Sequence, residues 1–338
     1  MGRTPTIRDV ATEAGVSIAT VSRILNGNTG FSQETKQRVN ETIARIGYRR
    51  NETAHSLKTK TSRTVAVLIP EMTSFYTTML EGIESEARSR GLTLAICHAG
   101  KGGRDSARYE GIISTGAVCG AIVLSLPPDC GVDHLLIKSA IPCVFLNSMS
   151  KLYDLPFICI DHFQGMYEAT RFLVRMGHRR IAIVTGEIED DMTTTPRLNG
   201  YRWALRDSGI EPDPSLQVNG SFEYEGALSA FRALLNCRRD FSAVVTCSDE
   251  GALAVIHEAI HAGLRVPEDL SVVGFDNSRT AQIVTPSLTS VSIPYAQMIR
   301  EAFDNLCAQI AGQGSTGNRL IPLTLAVRES TCELPQSP

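Results

Sequence analysis

Two spacings of apolar residues divide the chain. Up to residue 48 they recur every three or four positions, the period of short amphipathic helices. From residue 64 they gather into short continuous runs, as strands covered on both faces do.

The first part predicts three helices with their own start and stop signals. Thr6, with Asp9 three residues on, gives a Thr-x-x-Asp variant of the capping box, and Val10, Ala11 and Ala14 form an apolar stripe that Gly15 ends. Ser17 caps a second helix over 18–25, which turns Val21, Ile24 and Leu25 inward and Ile18, Ala19, Ser22 and Arg23 outward before Asn26-Gly27 terminates it. Ser32 caps a third helix through residue 46, stopped by Gly47. Two helices joined by the tight Ala14-Gly15-Val16-Ser17 turn have the geometry that lays the second in a DNA major groove. The stretch Asn51-Glu52-Thr53-Ala54-His55-Ser56-Leu57-Lys58 is helix-sized, but its apolar strip is only Ala54 and Leu57, too little for a stable helix alone.

Strands are predicted at 64–69, 92–97, 121–124, 143–146, 181–184, 243–247 and 270–275, with helix-sized patterns such as 77–90 and 164–176 between most of them. This alternation indicates parallel sheets in doubly wound layers, and the length suits two lobes with a cleft.

Charge sharpens the division. Residues 1–63 carry 11 Lys and Arg against 5 Asp and Glu, a net +6, while the remainder carries 22 against 31, a net −9. A basic head suits phosphate; an acidic body suits another partner. The nine cysteines, at 97, 119, 130, 143, 159, 237, 247, 307 and 332, form no C-x-x-C pair and mostly sit in apolar runs, as reduced core residues of a cytosolic protein do. No stretch reaches the roughly 18 apolar residues of a membrane span, and Met1-Gly2-Arg3-Thr4-Pro5 does not begin a signal peptide. The expected location is the cytoplasm.

Thr6-Ile7-Arg8-Asp9-Val10-Ala11, Ala14-Gly15-Val16-Ser17 and Ala19-Thr20-Val21-Ser22-Arg23-Ile24-Leu25-Asn26-Gly27 closely resemble the head of the lactose/galactose repressor (LacI/GalR) family of transcriptional regulators. The resemblance implies that Ile18, Ala19 and Arg23 read base edges. Arg23 would donate two hydrogen bonds to guanine, and the apolar pair would meet a thymine methyl. Thr6, Ser22 and Asn26 fall where the family fixes the phosphate backbone or the reading helix, and Ser17 and Thr20 complete the DNA-contacting set. The resemblance makes the segment with Ala54 and Leu57 a hinge that folds on DNA when two copies pair, Leu57 wedging between base steps of the minor groove. A ligand that changed the spacing of the two hinges would then control DNA affinity.

Ile160-Asp161 before Gly165, Leu173-Val174-Arg175-Met176-Gly177-His178-Arg179-Arg180-Ile181-Ala182, the run from Gly263 to Asp276, and Arg328-Glu329-Ser330-Thr331 resemble the periplasmic sugar-binding-protein fold used by these repressors. The expected architecture is α/β. A three-helix helix-turn-helix head occupies 1–50 and a hinge helix and linker 51–63. A two-lobed periplasmic-binding-protein-like domain of doubly wound parallel sheets, for effector binding and dimerisation, occupies 64–338. Ligands of such sheets sit beyond the carboxyl ends of the strands. There the resemblance implies Asp249 and Asp276 as acceptors for sugar hydroxyls, Asn147 and Arg197 as donors, and Phe75, Tyr76 and Phe222 as faces for a sugar ring. Asp249 also stands where it could cap the helix that follows. The chain departs from the family pattern at Asp161-His162, where Asp-Asn is usual, and at Ser248, where Asn usually precedes the Asp. Ser148 stands where the purine-binding member has an aromatic, which favours a carbohydrate over a nucleobase.

One motif points elsewhere. His257-Glu258-Ala259-Ile260-His261 is a literal H-E-x-x-H, the zinc-hydrolase spacing, but no third ligand is suggested and the helix ends at once in Ala262-Gly263. Gly100-Lys101-Gly102-Gly103 matches no phosphate-binding spacing. The expectation is a homodimeric regulator, a repressor in the first instance, that binds a near-palindromic operator under control of a small sugar. It has no cofactor, metal, enzymatic activity or membrane contact. A nucleoside- or protein-corepressor-controlled regulator and a zinc hydrolase are the alternatives.

Overall fold

The computed structural model describes residues 5–25, 30–48, 62–100, 107–128, 130–187 and 192–334. The chain divides into two compact units, residues 1–63 with 115–119, and 64–114 with 120–338.

In the first unit, α1 (Ile7–Ala14), α2 (Ile18–Leu25) and α3 (Gln33–Ile46) enclose Val10, Ala11, Ala14, Val21 and Val39, with Ile7, Val16, Ile24, Leu25 and Ile43 packed around them. The start signals work as bonds. The Asp9 carboxylate accepts from both the backbone N–H and the hydroxyl of Thr6 at 2.7 Å. Ser17 Oγ accepts from the Thr20 N–H at 3.1 Å, and Ser32 Oγ from the Thr35 N–H at 3.2 Å. Gly15 and Gly47 end α1 and α3 at φ 64° and 68°, where a Cβ is disfavoured. Asn26-Gly27 and the segment 51–58 lie outside the described residues.

The second unit holds two six-stranded sheets. The first contains β1 (Thr64–Ile69), β2 (Thr93–His98), β3 (Gly120–Leu124), β4 (Cys143–Leu146), β5 (Phe157–Ile160) and β11 (Arg319–Ile321), in the order β11-β5-β4-β3-β1-β2, all parallel. The second contains β6 (Ile181–Thr185), β7 (Gln217–Asn219), β8 (Ala243–Thr246), β9 (Ser271–Asp276), β10 (Thr289–Ser292) and β12 (Thr324–Ala326), in the order β12-β10-β9-β8-β6-β7, with only β12 antiparallel. The helices of the first lobe are α4 (Ser74–Ser89), α5 (Ala107–Ser114), α6 (Val132–Ser139) and α12 (Tyr295–Ile310). Those of the second are α7 (His162–Arg175), α8 (Thr194–Asp207), α9 (Tyr224–Cys237), α10 (Asp249–His261) and α11 (Arg279–Ile283). The chain crosses between lobes three times: from β5 into α7, from β10 into α12, and from β11 into β12.

All seven predicted strands form within one residue of their expected limits, but five others escaped the apolar-run criterion. β7, β11 and β12 are three-residue edge strands, and β10 reads Thr-Ser-Val-Ser although Thr289 and Ser290 are fully buried. β5 differs, being a fully apolar run of four residues. Most cysteines lie in or beside the cores, whereas Cys237 is exposed, against expectation.

α7 and α8 cross so closely that a Cβ on Gly200 would stand 2.3 Å from the Phe163 carbonyl oxygen. Alanine would gain about 1 kcal/mol in helix propensity, but a clash between two backbones costs more, as overpacking typically does at about 1–3 kcal/mol. Gly200→Ala is therefore expected to lower the unfolding free energy by a net 1 kcal/mol or so, seen as a lower urea midpoint; an unchanged or raised midpoint would show that the helices separate freely.

Candidate functional site

Backbone strain marks one region. Among the described residues, outside helix ends, the non-glycine residues with positive φ are Ser125 after β3 (51°), Asn147 after β4 (51°), Ser221 and Phe222 after β7 (55° and 63°), Asp276 at the end of β9 (119°) and Asn277 (53°). Each costs on the order of 1–3 kcal/mol, and all lie at carboxyl ends of strands, where open parallel sheets bind ligands.

Arg197, on the first turn of α8, is only 4% exposed. Its guanidinium carbon stands 3.6 Å from the centre of the Phe275 ring and 5.7 Å from that of Phe222. Nε donates to His162 Nδ1 at 3.2 Å, and Nη1 donates to the Cys247 carbonyl. Among the described residues Nη2 has no hydrogen-bond partner. Asp276 faces this cation; burial and the neighbouring Asp249 carboxylate hold its carboxyl well above the usual range, while Arg197 pulls it the other way.

Asp249 is 2% exposed, and both its oxygens are taken up by the protein. Oδ1 accepts from the Ser290 hydroxyl at 2.6 Å and Oδ2 from the Ser278 N–H at 2.7 Å. Asp249 was expected as a sugar acceptor; in the structure its carboxylate ties α10 to β10 and to the loop after β9. It is not the cap of α10. Ser248 is, accepting from the Gly251 N–H at 3.0 Å while donating to the Phe222 carbonyl at 2.7 Å. A Cβ on Gly274 would lie 2.3 Å from Asp249 Oδ1, so glycine is what lets β9 pass the carboxylate.

The first lobe contributes Asn147, whose Nδ2 donates to Ser125 Oγ at 3.1 Å and whose Oδ1 pairs with His162 Nε2 at 3.0 Å. It also contributes rings, with Phe75 edge-on to Tyr76 at 5.2 Å and 6.2 Å from Tyr295, the first residue of α12. Burial, then Asp276 and Asp249, raise the Tyr295 hydroxyl, so it stays protonated. Phe222 lies against the Gly186 backbone, where a Cβ would meet its ring at 2.0 Å. The structure thus gathers Asn147, Arg197, Phe222, Asp249 and Asp276 around one place, with Phe75 and Tyr76 linked to it through Tyr295. It adds His162, Tyr295, Phe275, Ser248 and Ser290, which the sequence reading did not assign to the site. Of these, His162 and Ser248 had left a trace there, as departures from the family pattern.

On the head, Ile18 (45% exposed), Ala19 and Arg23 present an open face on α2. Thr6, Thr20 and Ser22 are half-buried and Ser17 is exposed, its hydroxyl 2.9 Å from that of Thr20. Asn26, Ala54 and Leu57 lie outside the described residues.

The H-E-x-x-H motif is occupied otherwise. Glu258 is buried and held by Arg232 through two bonds at 2.9 and 2.8 Å, which lower its pKa, and exposed His257 pairs with the Tyr224 hydroxyl. Among the described residues no three His, Cys, Asp or Glu are placed to hold a metal ion, and no helix is long and apolar enough to cross a membrane.

Comparison with known proteins joins the two halves. The family of bacterial regulatory proteins, lacI family, matches residues 6–51, and the periplasmic binding protein-like domain matches residues 170–331. The HTH-type transcriptional repressor CytR of Escherichia coli (strain K12) is 34% identical over 334 residues, 98% of this chain and 97% of that protein. The structure of the transcriptional regulator CelR–cellobiose complex matches at 32% identity and TM-score 0.73, over 96% of this chain and 99% of that one. The lac repressor dimer bound to operator and the anti-inducer ONPF matches at 25% identity and TM-score 0.88, over 98% and 100%. With head and body both matched and relatives aligned along nearly the whole length, the chain belongs to the lacI family of bacterial transcription regulators.

Proposed function

We propose that the chain binds a near-palindromic operator as a cytoplasmic homodimer, and that a neutral sugar between the two lobes of the body sets its DNA affinity without any chemical turnover. The observation that carries the sugar is the pairing of Arg197 Nη2, a donor without a partner among the described residues, with the Asp276 carboxyl, an acceptor with lone pairs left over. A hydroxyl both donates and accepts, so adjacent hydroxyls answer both groups at once. Phe222 and Tyr295 offer apolar faces beside them. The cellobiose carried by the relative CelR supports this class. Ser148 is buried with its hydroxyl on the Leu126 carbonyl, so no aromatic plate for a nucleobase stands there.

On DNA, exposed Ile18, Ala19 and Arg23 read base edges. Thr6, Ser17, Thr20, Ser22 and Asn26 hold the backbone or the reading helix, and Ala54 and Leu57 act in the minor groove. In this reading Asp249 supports the ligand site from behind, through Ser290 and Ser278.

Removing a bidentate base contact costs about 1–3 kcal/mol. Arg23→Ala should therefore bind about 10- to 100-fold more weakly to a duplex selected by the wild-type protein from a random pool, with specificity relaxed at one base pair. Uniform weakening on every sequence would make Arg23 a phosphate contact instead.

For the ligand, a thermal-shift panel of mono- and disaccharides, phosphosugars and nucleosides should return a neutral sugar, because a ligand of the folded state raises its melting temperature. Arg197→Ala should erase that shift while DNA binding persists. A nucleoside hit, or a normal shift in the variant, overturns the reading.

Asp276 also sets a pH dependence. Its folded pKa is raised above the unfolded value near 3.9, so above that pH the unfolded chain releases a proton the folded chain retains, and stability falls as pH rises toward the folded pKa. Asp276→Asn is expected to flatten that decline in melting temperature between about pH 5 and 8; parallel curves for variant and wild type would show the carboxyl to be ordinary.

A further inference from the structure

The bonds around His162 form one chain between the lobes. Ser125 and Asn147 follow strands β3 and β4 of the first sheet, while Arg197 stands on α8 and Cys247 follows β8 of the second. From the first lobe to the second, Ser125 Oγ accepts from Asn147, Asn147 Oδ1 meets His162 Nε2, His162 Nδ1 meets Arg197 Nε, and Arg197 Nη1 meets the Cys247 carbonyl. His162 is the first residue of α7, immediately after the first crossover. Asp161 beside it caps that helix, its side chain accepting from the Gln164 N–H at 2.9 Å while its own N–H donates to Ile321 at the third crossover at 3.0 Å. The imidazole therefore sits where the chain first crosses between the lobes.

Chemistry fixes the state of the ring. A guanidinium can only donate, so Nδ1 carries no proton; the neutral ring then bears its proton on Nε2, which donates to Asn147 Oδ1. Burial, and then the Arg197 charge, favour this neutral form. The groups facing the ring are Arg197 from α8, Asn147 from the loop after β4 and the Phe275 ring of β9, 6.1 Å away. A 3.0 Å bond tolerates only roughly 0.5 Å of stretch before it fails, so a small lobe rotation breaks the link at Asn147.

We propose that His162 is a positioning residue that couples the arrangement of the lobes to the aim of Arg197: the ring is held from one lobe by Asn147 and itself holds the guanidinium of the other. Freed from Asn147, the ring can turn and Arg197 loses its Nε partner. A ligand that draws Arg197 out of line must in turn strain the bond to the first lobe. The proposal rests on the reading of the cleft as the ligand site, although the link can be tested without a ligand.

Glutamine presents one donor and one acceptor and can bridge Asn147 and Arg197; phenylalanine keeps the ring and loses both bonds. In the full-length protein, the Arg197 Nε–H resonance should be protected from solvent exchange in wild type and in His162→Gln, and lost in His162→Phe. It should also be lost in Asn147→Ala, two bonds away in the other lobe, which a merely local packing role would leave unchanged. Retention of that signal in both His162→Phe and Asn147→Ala overturns the link. On a duplex selected by the wild type from a random pool, His162→Phe should differ in affinity about fivefold, the worth of one buried hydrogen bond, with His162→Gln near wild type; equal affinity for all three overturns the coupling. If wild type selects no duplex, the DNA reading fails, while the exchange measurement still decides the link.

Discussion

A cation that is almost wholly buried organises the ligand-binding half of this protein. Taking a charge out of water costs several kcal/mol unless partners replace the lost hydration. Arg197 has a ring face at 3.6 Å, the Cys247 carbonyl, the His162 nitrogen and the electrostatic field of Asp276. His162 comes from α7, Cys247 from the end of β8, and Phe275 and Asp276 from β9, so the guanidinium cannot be satisfied unless α7, α8, β8 and β9 all take their places. The same need bears on Asp276: burial and then the neighbouring Asp249 push its carboxyl toward the protonated form, and the cation offsets part of that push.

The strained loops follow from the same crowding. Parallel strands deliver their carboxyl ends to one edge, and a chain turning away there must do so in few residues. Asp276 and Asn277 make that turn with positive φ and are held by side-chain bonds. Asn277 reaches Ser292 and receives Arg328, while Ser290 and Ser278 lock onto Asp249. A lattice of small hydroxyls makes the strain affordable, and it accounts for the polar composition of a strand as buried as β10.

What could be read in the sequence divides along physical lines. The head was legible down to single bonds, because caps, glycine stops and helical periodicity are local, and Thr6, Asp9, Ser17 and Ser32 act on neighbours within a few residues. The strands with continuous apolar runs were legible for the same reason, β5 excepted. β10 was not, because its buried hydroxyls find partners some 40 residues away, Ser290 on the Asp249 carboxylate and Thr289 on the Arg328 carbonyl, pairings no local pattern displays. The site was half legible. Resemblance supplied the positions, but it could not show that Asp249 is enclosed by protein donors while Arg197 keeps one nitrogen without a partner among the described residues. His162 announced itself as an unusual residue; what made it functional is contact with Asn147 and Arg197, which are distant in sequence and brought together by the crossover.

A ligand can shift a conformational equilibrium only by as much as its affinities for the two states differ. Groups that all lay on one lobe would bind a sugar equally well however the lobes were turned, and nothing would be transmitted. Here they are divided. Asn147, Phe75 and Tyr295 belong to the first lobe, Arg197, Asp276 and Phe222 to the second, and a molecule touching both sets is sensitive to the angle between them. The imidazole at the first crossover adds a direct protein bond that depends on the same angle. It makes the empty cleft prefer one arrangement, against which the differential affinity of a ligand has something to act.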